Sequence, residues 1–188
     1  MPRKNGPWTI NGSKTVYKTP WMELKEDSVI APNGKDSVYG VLKLKDWVLI
    51  VPIDKEGNVY LVKQFRYAFG SDSIEVPAGC VDKGEKPIVA AKRELSEEVG
   101  ITAKKWTSLG KTKISPSQIE NTSYFFLAED LSFGKSHQDE TEGITPIKVS
   151  LEKAMEMVES GEIIDESVCS AILRAKRVLD KMKSISLV

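Results

Sequence analysis

Apolar positions between residues 86 and 99 recur at intervals of three or four residues, which is the spacing of one face of an α-helix. These positions are Ile88, Ala91, Leu95 and Val99. Pro87 suits the first turn of a helix, where its missing N–H costs nothing, and Gly100 suits the position after the last turn. The pattern therefore predicts a helix over about residues 86–99, with an acidic face opposite the apolar one.

Shorter runs rich in β-branched and aromatic residues predict strands. They cover residues 47–53, 59–64, 106–113, 122–128 and 144–149. Two more helices are predicted near residues 151–160 and 166–182, the last with an apolar face at helical spacing. Strands and helices are mixed without regular βαβ alternation, so the expected fold class is α/β, an α/β/α sandwich on a mixed sheet.

Residues 1–45 are polar and rich in turns, unlike the rest of the chain. Short strands are predicted around residues 15–19 and 37–44, on either side of a turn at residues 32–35. The sequence thus predicts an N-terminal β-hairpin extension followed by one catalytic domain of residues 46–188.

Composition narrows the classes of partner. The chain has 27 basic and 27 acidic residues, and this balance does not favour a nucleic acid partner.

Cys80 and Cys169 lie in unrelated surroundings, so both are expected to be reduced. The sequence shows neither a signal peptide nor an apolar run of about 20 residues, so we expect a cytoplasmic protein with no membrane partner.

Three carboxylates on the predicted helix suggest that it binds a divalent metal ion. Glu94, Glu97 and Glu98 stand at i, i+3 and i+4, so they share one face. Such a cluster is often only a solvated helix surface. Here Arg93 can pair with Glu97 at i+4, but one guanidinium cannot neutralise three carboxylates. Hard oxygen ligands grouped in this way suit Mg²⁺, with Mn²⁺ as a substitute.

The same helix carries a longer motif with fixed spacing. It reads Gly79-x5-Glu85-x7-Arg93-Glu94-Leu95-x-Glu97-Glu98-x-Gly100-Ile101. This segment resembles the Nudix box at every fixed position, and by this resemblance the chain is identified as a member of the Nudix hydrolase family. Physically, Gly79 would let the chain turn sharply after a strand. Glu85 would meet the positive end of the helix dipole and hydrogen-bond to Arg93, which would fix the loop on the helix.

The resemblance also implies roles for the acidic residues. Glu94 and Glu98 would be the principal metal ligands, the carbonyl of Ala78 would complete the site, and Glu97 would help with a further metal or its water. Two cations bridging a diphosphate would neutralise it, activate a water and stabilise the leaving phosphate.

Segments on both sides of the box are similar to those of ADP-ribose pyrophosphatases and nucleoside diphosphate sugar hydrolases. Upstream these are residues 62–66, which end in Gln-Phe-Arg66, and the run from Glu75 to Gly79. Downstream, Pro116 lies sixteen residues after Gly100, a spacing associated with the ADP-ribose group, although Ser117 replaces the glycine common in that group. The substrate classes left open are ADP-ribose, ADP-glucose, GDP-mannose and UDP-sugars.

The resemblance assigns further residues to the substrate. Arg66 would contact a phosphate or the terminal ribose, since guanidinium binds phosphate oxygens bidentately, and Glu75 belongs to the same substrate-binding set. Trp21 and Tyr39 would stack on the base, one of them from a partner subunit in the resembling enzymes. An extension with Trp8, Trp21 and Tyr39 is too small to bury both its faces, which predicts a homodimer.

The general base is expected in the polar loop that precedes residue 144. Glu140 occupies the place of the loop glutamate that acts as base in ADP-ribose pyrophosphatases, and Glu142 is the second candidate. His137, the single histidine of the chain, is interpreted as an exposed loop residue.

Together these residues predict Mg²⁺-dependent hydrolysis of the pyrophosphate bond of ADP-ribose or a related nucleoside diphosphate sugar. The alternative is a catalytically silent Nudix domain that senses such ligands, but silent members typically lose box glutamates that are present in this sequence. An mRNA-decapping enzyme is disfavoured by the absence of a basic tract in the sequence.

Overall fold

The computed structural model describes residues 1–137 and 143–186 and divides the chain into two units. The first unit comprises Met1–Asp46 and Lys113–Thr122, and the second comprises Trp47–Thr112 and Ser123–Val188. The segment of ten residues from Lys113 therefore belongs with the N-terminal strands, although it lies after the box helix in the sequence.

Strands outnumber helices in both units. In chain order, the strands are β1 (Arg3–Asn5), β2 (Trp8–Lys18), β3 (Met22–Ile30), β4 (Asp36–Leu44), β5 (Trp47–Pro52), β6 (Asn58–Arg66), β7 (Ser71–Glu75), β8 (Ala78–Cys80), β9 (Ile101–Thr112), β10 (Ile119–Glu120), β11 (Ser123–Phe133) and β12 (Thr145–Ser150). The helices are α1 (Pro87–Val99), α2 (Leu151–Glu159) and α3 (Glu166–Ser186). Among the helices that the structure describes, none is both long and apolar enough to span a membrane.

The first unit is built on one sheet in the order β1-β2-β3-β4-β10, antiparallel except for the pairing of β10 with β4. The predicted hairpin was wrong in one respect: the strand before the turn at residues 32–35 is β3, not the strand around residues 15–19, which is the end of β2. Strand β3 escapes prediction because its more buried positions include Glu23, Lys25 and Asp27, so the usual apolar alternation is absent.

The second unit contains a sheet in the order β8-β5-β11-β9 and another in the order β12-β6-β7. The first of these is mixed, because β5 pairs with β11 in parallel and with β8 antiparallel. Side chains of β5 alternate between two cores: Val48 and Ile50 pack with helix α1, whereas Leu49 and Val51 pack with α2 and α3. Helices thus cover both sides of this mixed sheet, which confirms the predicted α/β class.

Helix α1 begins and ends where the sequence predicts. Pro87 is its first residue, and Gly100 follows its last residue with a φ of +64°, in the left-handed region. The Gly100 N–H donates to the carbonyls of Leu95 and Ser96. A Cβ on Gly100 would lie 2.6 Å from the carbonyl oxygen of Gly134, so close approach of the backbone and the positive φ both require glycine. Leu95 is fully buried and anchors the helix in the core.

Candidate active site

Arg93 is the centre of the acidic cluster on α1. Its Nε and Nη2 donate to the two carboxylate oxygens of Glu85 at 3.3 and 3.1 Å. Its Nη1 donates to Glu94 at 2.7 Å and to Glu97 at 3.2 Å, and Nη2 also donates to the carbonyl of Cys80 at 3.0 Å. One guanidinium therefore binds three carboxylates and one carbonyl, and it joins the loop after β8 to the helix.

Glu85 fixes the loop that leads into α1. Besides Arg93, it accepts a hydrogen bond from the N–H of Asp82 at 3.1 Å. The hydrogen bonds from Arg93 and then from this N–H hold the pKa of Glu85 below its usual value, and the same partner raises the pKa of Arg93. Both shifts favour the charged forms of this ion pair. Asp82 and the carbonyl of Cys80 were not predicted from the sequence, because backbone groups carry no residue-type signal.

Gly79 makes room for a carboxylate. A Cβ at this position would overlap the carboxyl group of Glu94. Gly79 is paired with Val48 in the sheet, so its backbone cannot move away easily. The sharp turn predicted at Gly79 was wrong, because this residue lies within β8 and is not among the glycines with a positive φ. Glycine is needed there because the missing side chain lets Glu94 lie directly against β8.

Glu98 lies one helical turn after Glu94, and its side chain contacts the backbone of Ala78. It is only 6% exposed, and its Oε2 accepts a hydrogen bond from the Ala78 N–H at 3.2 Å. Two residues predicted as metal ligands, Glu98 and Ala78, are therefore adjacent. Glu97 differs from them, since 47% of its side chain is exposed.

The donor set fits a hard divalent cation, although the described residues contain no group of three acidic, histidine or cysteine side chains arranged as a ready metal site. The fit rests on carboxylate oxygens along one helix face, the adjacent strand β8, and the space that Gly79 leaves beside Glu94. Oxygen donors of this kind are the ones that Mg²⁺ prefers in proteins.

Arg66 and Glu75 are a pair of strand residues that contact each other. Arg66 Nε and Nη2 donate to the carboxylate of Glu75 at 2.8 and 2.5 Å, and the Glu75 side chain is 8% exposed. Burial disfavours the charged form of Glu75, but the hydrogen bond and charge of Arg66 outweigh it, so the pKa of Glu75 lies below its usual value. The guanidinium is thus oriented from β7, and it also experiences the charge of Glu98.

Glu140 and Glu142, predicted as alternative general bases, lie outside the described residues. His137, at the edge of that segment, is exposed as expected, and its backbone N–H donates to the carbonyl of Glu97 at 2.9 Å. This hydrogen bond connects the last described residue before that segment to helix α1.

Trp21 and Tyr39, predicted to stack on a base, have different surroundings in the first unit. Trp21 is 69% exposed, between β2 and β3. Tyr39 is half-buried, its ring contacts Trp8 edge to face at 5.4 Å, and its hydroxyl donates to the carbonyl of Ser117. Trp8, rather than Trp21, is the ring that the structure brings to Tyr39.

Comparisons with known proteins cover almost the whole chain. Residues 43–167 match the family model described as NUDIX domain, and residues 8–42 match the nucleoside diphosphate sugar hydrolase N-terminal domain. An ADP-ribose pyrophosphatase of Bacillus subtilis (strain 168) is 38% identical over 89% of this chain and 93% of its own length. An ADP-ribose pyrophosphatase of Mycobacterium tuberculosis (strain ATCC 25618 / H37Rv) is 31% identical over 88% and 82%, respectively. A crystal structure of an ADP compounds hydrolase superposes with a TM-score of 0.84 at 25% identity, covering 96% of this chain and 98% of the other.

Proposed function

Since this chain belongs to the Nudix family and is a Nudix pyrophosphatase, we propose that it hydrolyses the diphosphate of ADP-ribose or a closely related ADP-sugar in a reaction that depends on Mg²⁺. The products would be AMP and a sugar phosphate. The names of the relatives support the broader substrate class, nucleoside diphosphate sugars, to which ADP-ribose belongs.

One observation carries the proposal: the carboxylates on one face of α1 are gathered around Arg93 and against β8. Glu94 fills the space beside Gly79, and Glu98 contacts the backbone of Ala78. A silent binding domain would have no need to keep these like charges together, since each such pair costs a helix roughly 0.2–0.5 kcal/mol. The retained cluster therefore favours the enzyme over the sensor.

The proposed metal ligands are Glu94, Glu98 and the carbonyl of Ala78, with Glu97 as an additional ligand or water contact. When bound, Mg²⁺ would neutralise the diphosphate and lower the pKa of a bound water. The chain's own contribution is orientation: Arg93 fixes the helix relative to the loop, and Leu95 anchors the helix in the core. Arg66, held by Glu75, is the proposed contact to a phosphate or the terminal ribose.

The base that accepts the proton of the attacking water is proposed to be Glu140, with Glu142 as the alternative. The Glu140→Gln variant should lower kcat far more than KM, because a base acts chiefly in the transition state, and Mg²⁺ binding should be retained. Glu142→Gln is the matched control in the same segment. If Glu142→Gln is the damaging change, the roles of the two residues are reversed, and if both are mild, neither is the base.

The substrate is tested with a panel of ADP-ribose, ADP-glucose, GDP-mannose and UDP-glucose. Each is incubated with the enzyme and Mg²⁺, and phosphatase-coupled release of phosphate is measured. ADP-ribose is expected to give the highest kcat/KM. EDTA should abolish this activity, and added Mg²⁺ should restore it. Turnover that persists in EDTA would contradict the metal dependence, and a GDP- or UDP-sugar as the best substrate would contradict the ADP assignment.

We also propose that the protein acts as a homodimer through its first unit. Val16, Tyr17, Trp21 and Val38 are each more than half exposed there, and a second copy of the chain could cover them. Light scattering at micromolar concentration should therefore give about twice the mass of one 20.9 kDa chain. The mass of a single chain would contradict the proposal.

A further inference from the structure

Three carboxylates act on the guanidinium of Arg66, and the roles above account for two of them. Glu75 accepts its two hydrogen bonds. The pKa of the guanidinium is raised chiefly by this hydrogen bonding to Glu75, and the charges of Glu98 and Asp165 add to the effect while burial opposes it. Within the described residues, no hydrogen bond or ion pair joins Arg66 to Asp165. A gap therefore separates these two side chains.

Asp165 is fixed immediately before helix α3. Its Oδ1 accepts a hydrogen bond from the N–H of Val168 at 2.9 Å, so the side chain caps the helix. Its carbonyl accepts a hydrogen bond from the N–H of Cys169, also at 2.9 Å. The Sγ of Cys169 in turn donates to the carbonyl of Ile163 at 3.4 Å. Asp165 thus has a defined orientation, although it is exposed to solvent.

The start of α3 and the end of β7 are held by the same hydrophobic core. Ile163 and Val168, on either side of Asp165 in the sequence, are each 1% exposed. They belong to one cluster of buried side chains with Val76, which directly follows β7. Because such cores are closely packed, the gap beside Asp165 has a width that the fold determines.

Asp165 has a hydrogen-bond acceptor that the fold leaves unused. Both carboxylate oxygens of Glu75 accept from Arg66. Glu98 accepts from the backbone of Ala78 and is a proposed metal ligand. By contrast, Oδ2 of Asp165 accepts no hydrogen bond from the described part of the chain. A carboxylate can only accept hydrogen bonds, so a ligand in this gap has to supply a donor such as a hydroxyl group.

The same carboxylates disfavour a bare phosphate beside Arg66. A terminal phosphate carries about −1.5 to −2 charges at pH 7, whereas a phosphate linked on both sides carries a single charge. Like charges placed close together oppose binding. A phosphate that continues into a sugar therefore fits this environment better than one that ends there, because it has less charge and brings hydroxyl donors.

We propose that Asp165 is a specificity-determining residue: it accepts a hydrogen bond from a hydroxyl of the sugar that follows the phosphate bound by Arg66, and it disfavours nucleotides that end in a bare phosphate. Selection then combines an attractive contact with a repulsive one. This role rests on the proposed function and deepens it, since it separates nucleoside diphosphate sugars from nucleoside diphosphates and triphosphates at the same site.

ADP-ribose and ADP are the probes for this role. ADP is ADP-ribose without the terminal ribose, and it ends in a bare phosphate. Their dissociation constants are measured by calorimetry without divalent cations, so that hydrolysis plays no part. Wild-type protein should bind ADP-ribose about tenfold or more tightly than ADP, because a site built to hydrogen-bond a hydroxyl rejects the analogue that lacks it.

Asp165→Ser and Asp165→Asn both remove the charge and keep a side chain that caps a helix well. In the Ser variant the preference for ADP-ribose should fall about fivefold or more, because the short side chain is engaged by the cap. In the Asn variant it should fall by a smaller factor, since the amide oxygen remains an acceptor. The melting temperature of both variants should stay within about 2 °C of wild type.

Glu166→Gln is the matched control. It removes the same charge from the next residue, which is exposed in the first turn of α3. Its preference for ADP-ribose should stay within about twofold of wild type, because the proposed contact needs the carboxylate of Asp165 and not the total charge of the region.

Three results would overturn the proposal. The first is equal binding of ADP-ribose and ADP by wild-type protein. The second is a preference that survives unchanged in Asp165→Ser. The third is an equal loss of preference in Asp165→Ser and Glu166→Gln, since total charge alone would then explain it. If the Ser variant does not fold, the Asn variant provides the same comparison.

Steady-state kinetics with Mg²⁺ then separate this role from the proposed function. In Asp165→Ser the KM for ADP-ribose should rise about fivefold and kcat should stay within about twofold, because a contact to an unreacting sugar is made equally in the ground and transition states. Hydrolysis of ADP-ribose with an unchanged KM would refute the role of Asp165 and leave the proposed function standing. An Asp165-dependent binding preference in a protein that hydrolyses no nucleoside diphosphate sugar would do the reverse.

Discussion

Two charged clusters of the second unit differ in their ratio of acid to base. Around Arg93 one guanidinium binds three carboxylates, those of Glu85, Glu94 and Glu97. Around Asp54 one carboxylate, 8% exposed, binds one ammonium: its Oδ2 lies 2.8 Å from Lys148 and accepts from Tyr60 at 3.0 Å. The first cluster holds an excess of acid, whereas the second is balanced.

Under the proposed function, this difference separates a binding site from a structural contact. At Asp54 the remaining oxygen accepts from the backbone and side-chain amides of Asn58, so every acceptor is used within the fold. At Arg93 the carboxylates outnumber the guanidinium, and Glu97 is 47% exposed, so a cation from solution can reduce the repulsion. We therefore expect substitutions in the first cluster to reduce activity and substitutions in the second to reduce stability.

The largest effect is expected for Glu98→Gln. It removes a charge needed where charge develops on the phosphates, so kcat should fall at least about 10²-fold. The amide can still accept the hydrogen bond from Ala78, so the free energy of unfolding should change by less than about 1 kcal/mol. Steady-state kinetics and urea unfolding measure the two effects, with Glu159→Gln on the exposed side of α2 as control. Near-normal turnover would remove Glu98 from the site.

Gly79→Ala should have the next largest effect. The added Cβ would overlap the carboxyl group of Glu94 and displace it, and a shift of about 1 Å at a catalytic group can cost up to about 10²-fold in rate. We expect kcat to fall between about tenfold and 10²-fold, with Mg²⁺ required at higher concentration. Gly12→Ala is the matched control, because a Cβ there meets nothing within 4 Å. Equal activity of the two variants would show that Glu94 does not need this space.

Asp54→Asn should have the smallest effect on activity and a clear effect on stability. At pH 7 it should lower the free energy of unfolding by about 1–3 kcal/mol, because Lys148 and Tyr60 lose a charged acceptor. Burial opposes ionisation of Asp54, yet Lys148, Asn58 and Tyr60 outweigh it, so the pKa of Asp54 is lowered. A lowered pKa contributes stability that is present above the unfolded value and lost as the pH falls below about 4.

The difference between wild type and Asp54→Asn should consequently shrink between pH 7 and pH 3, as measured by urea unfolding at both values. Turnover at pH 7 should stay within about twofold of wild type, because the hydrogen bonds and ion pair of Asp54 involve Asn58, Tyr60 and Lys148 and not the acidic face of α1. A constant stability difference at both pH values would show that the Asp54 charge does not stabilise the fold.

The sequence alone predicted the α/β class, helix α1 and the grouping of carboxylates on one side of that helix. It could do so because these features depend on residues close together in the chain: the helical period, Pro87 and Gly100 at the ends, and the box spacing from Gly79 to Ile101. The contact of Arg93 with Glu85 was also expected, since the box brings them together within one loop and one helix.

Tertiary structure decided the features that depend on distant residues. Strand β3 was missed because charged side chains occupy its more buried positions, and so the burial of Asp27 could not be expected. The contact of Trp8 with Tyr39 and the placement of residues 113–122 beside β4 join segments far apart in sequence. No local period encodes such pairings, because they form only when the sheet brings the strands together and burial outweighs the loss of chain entropy.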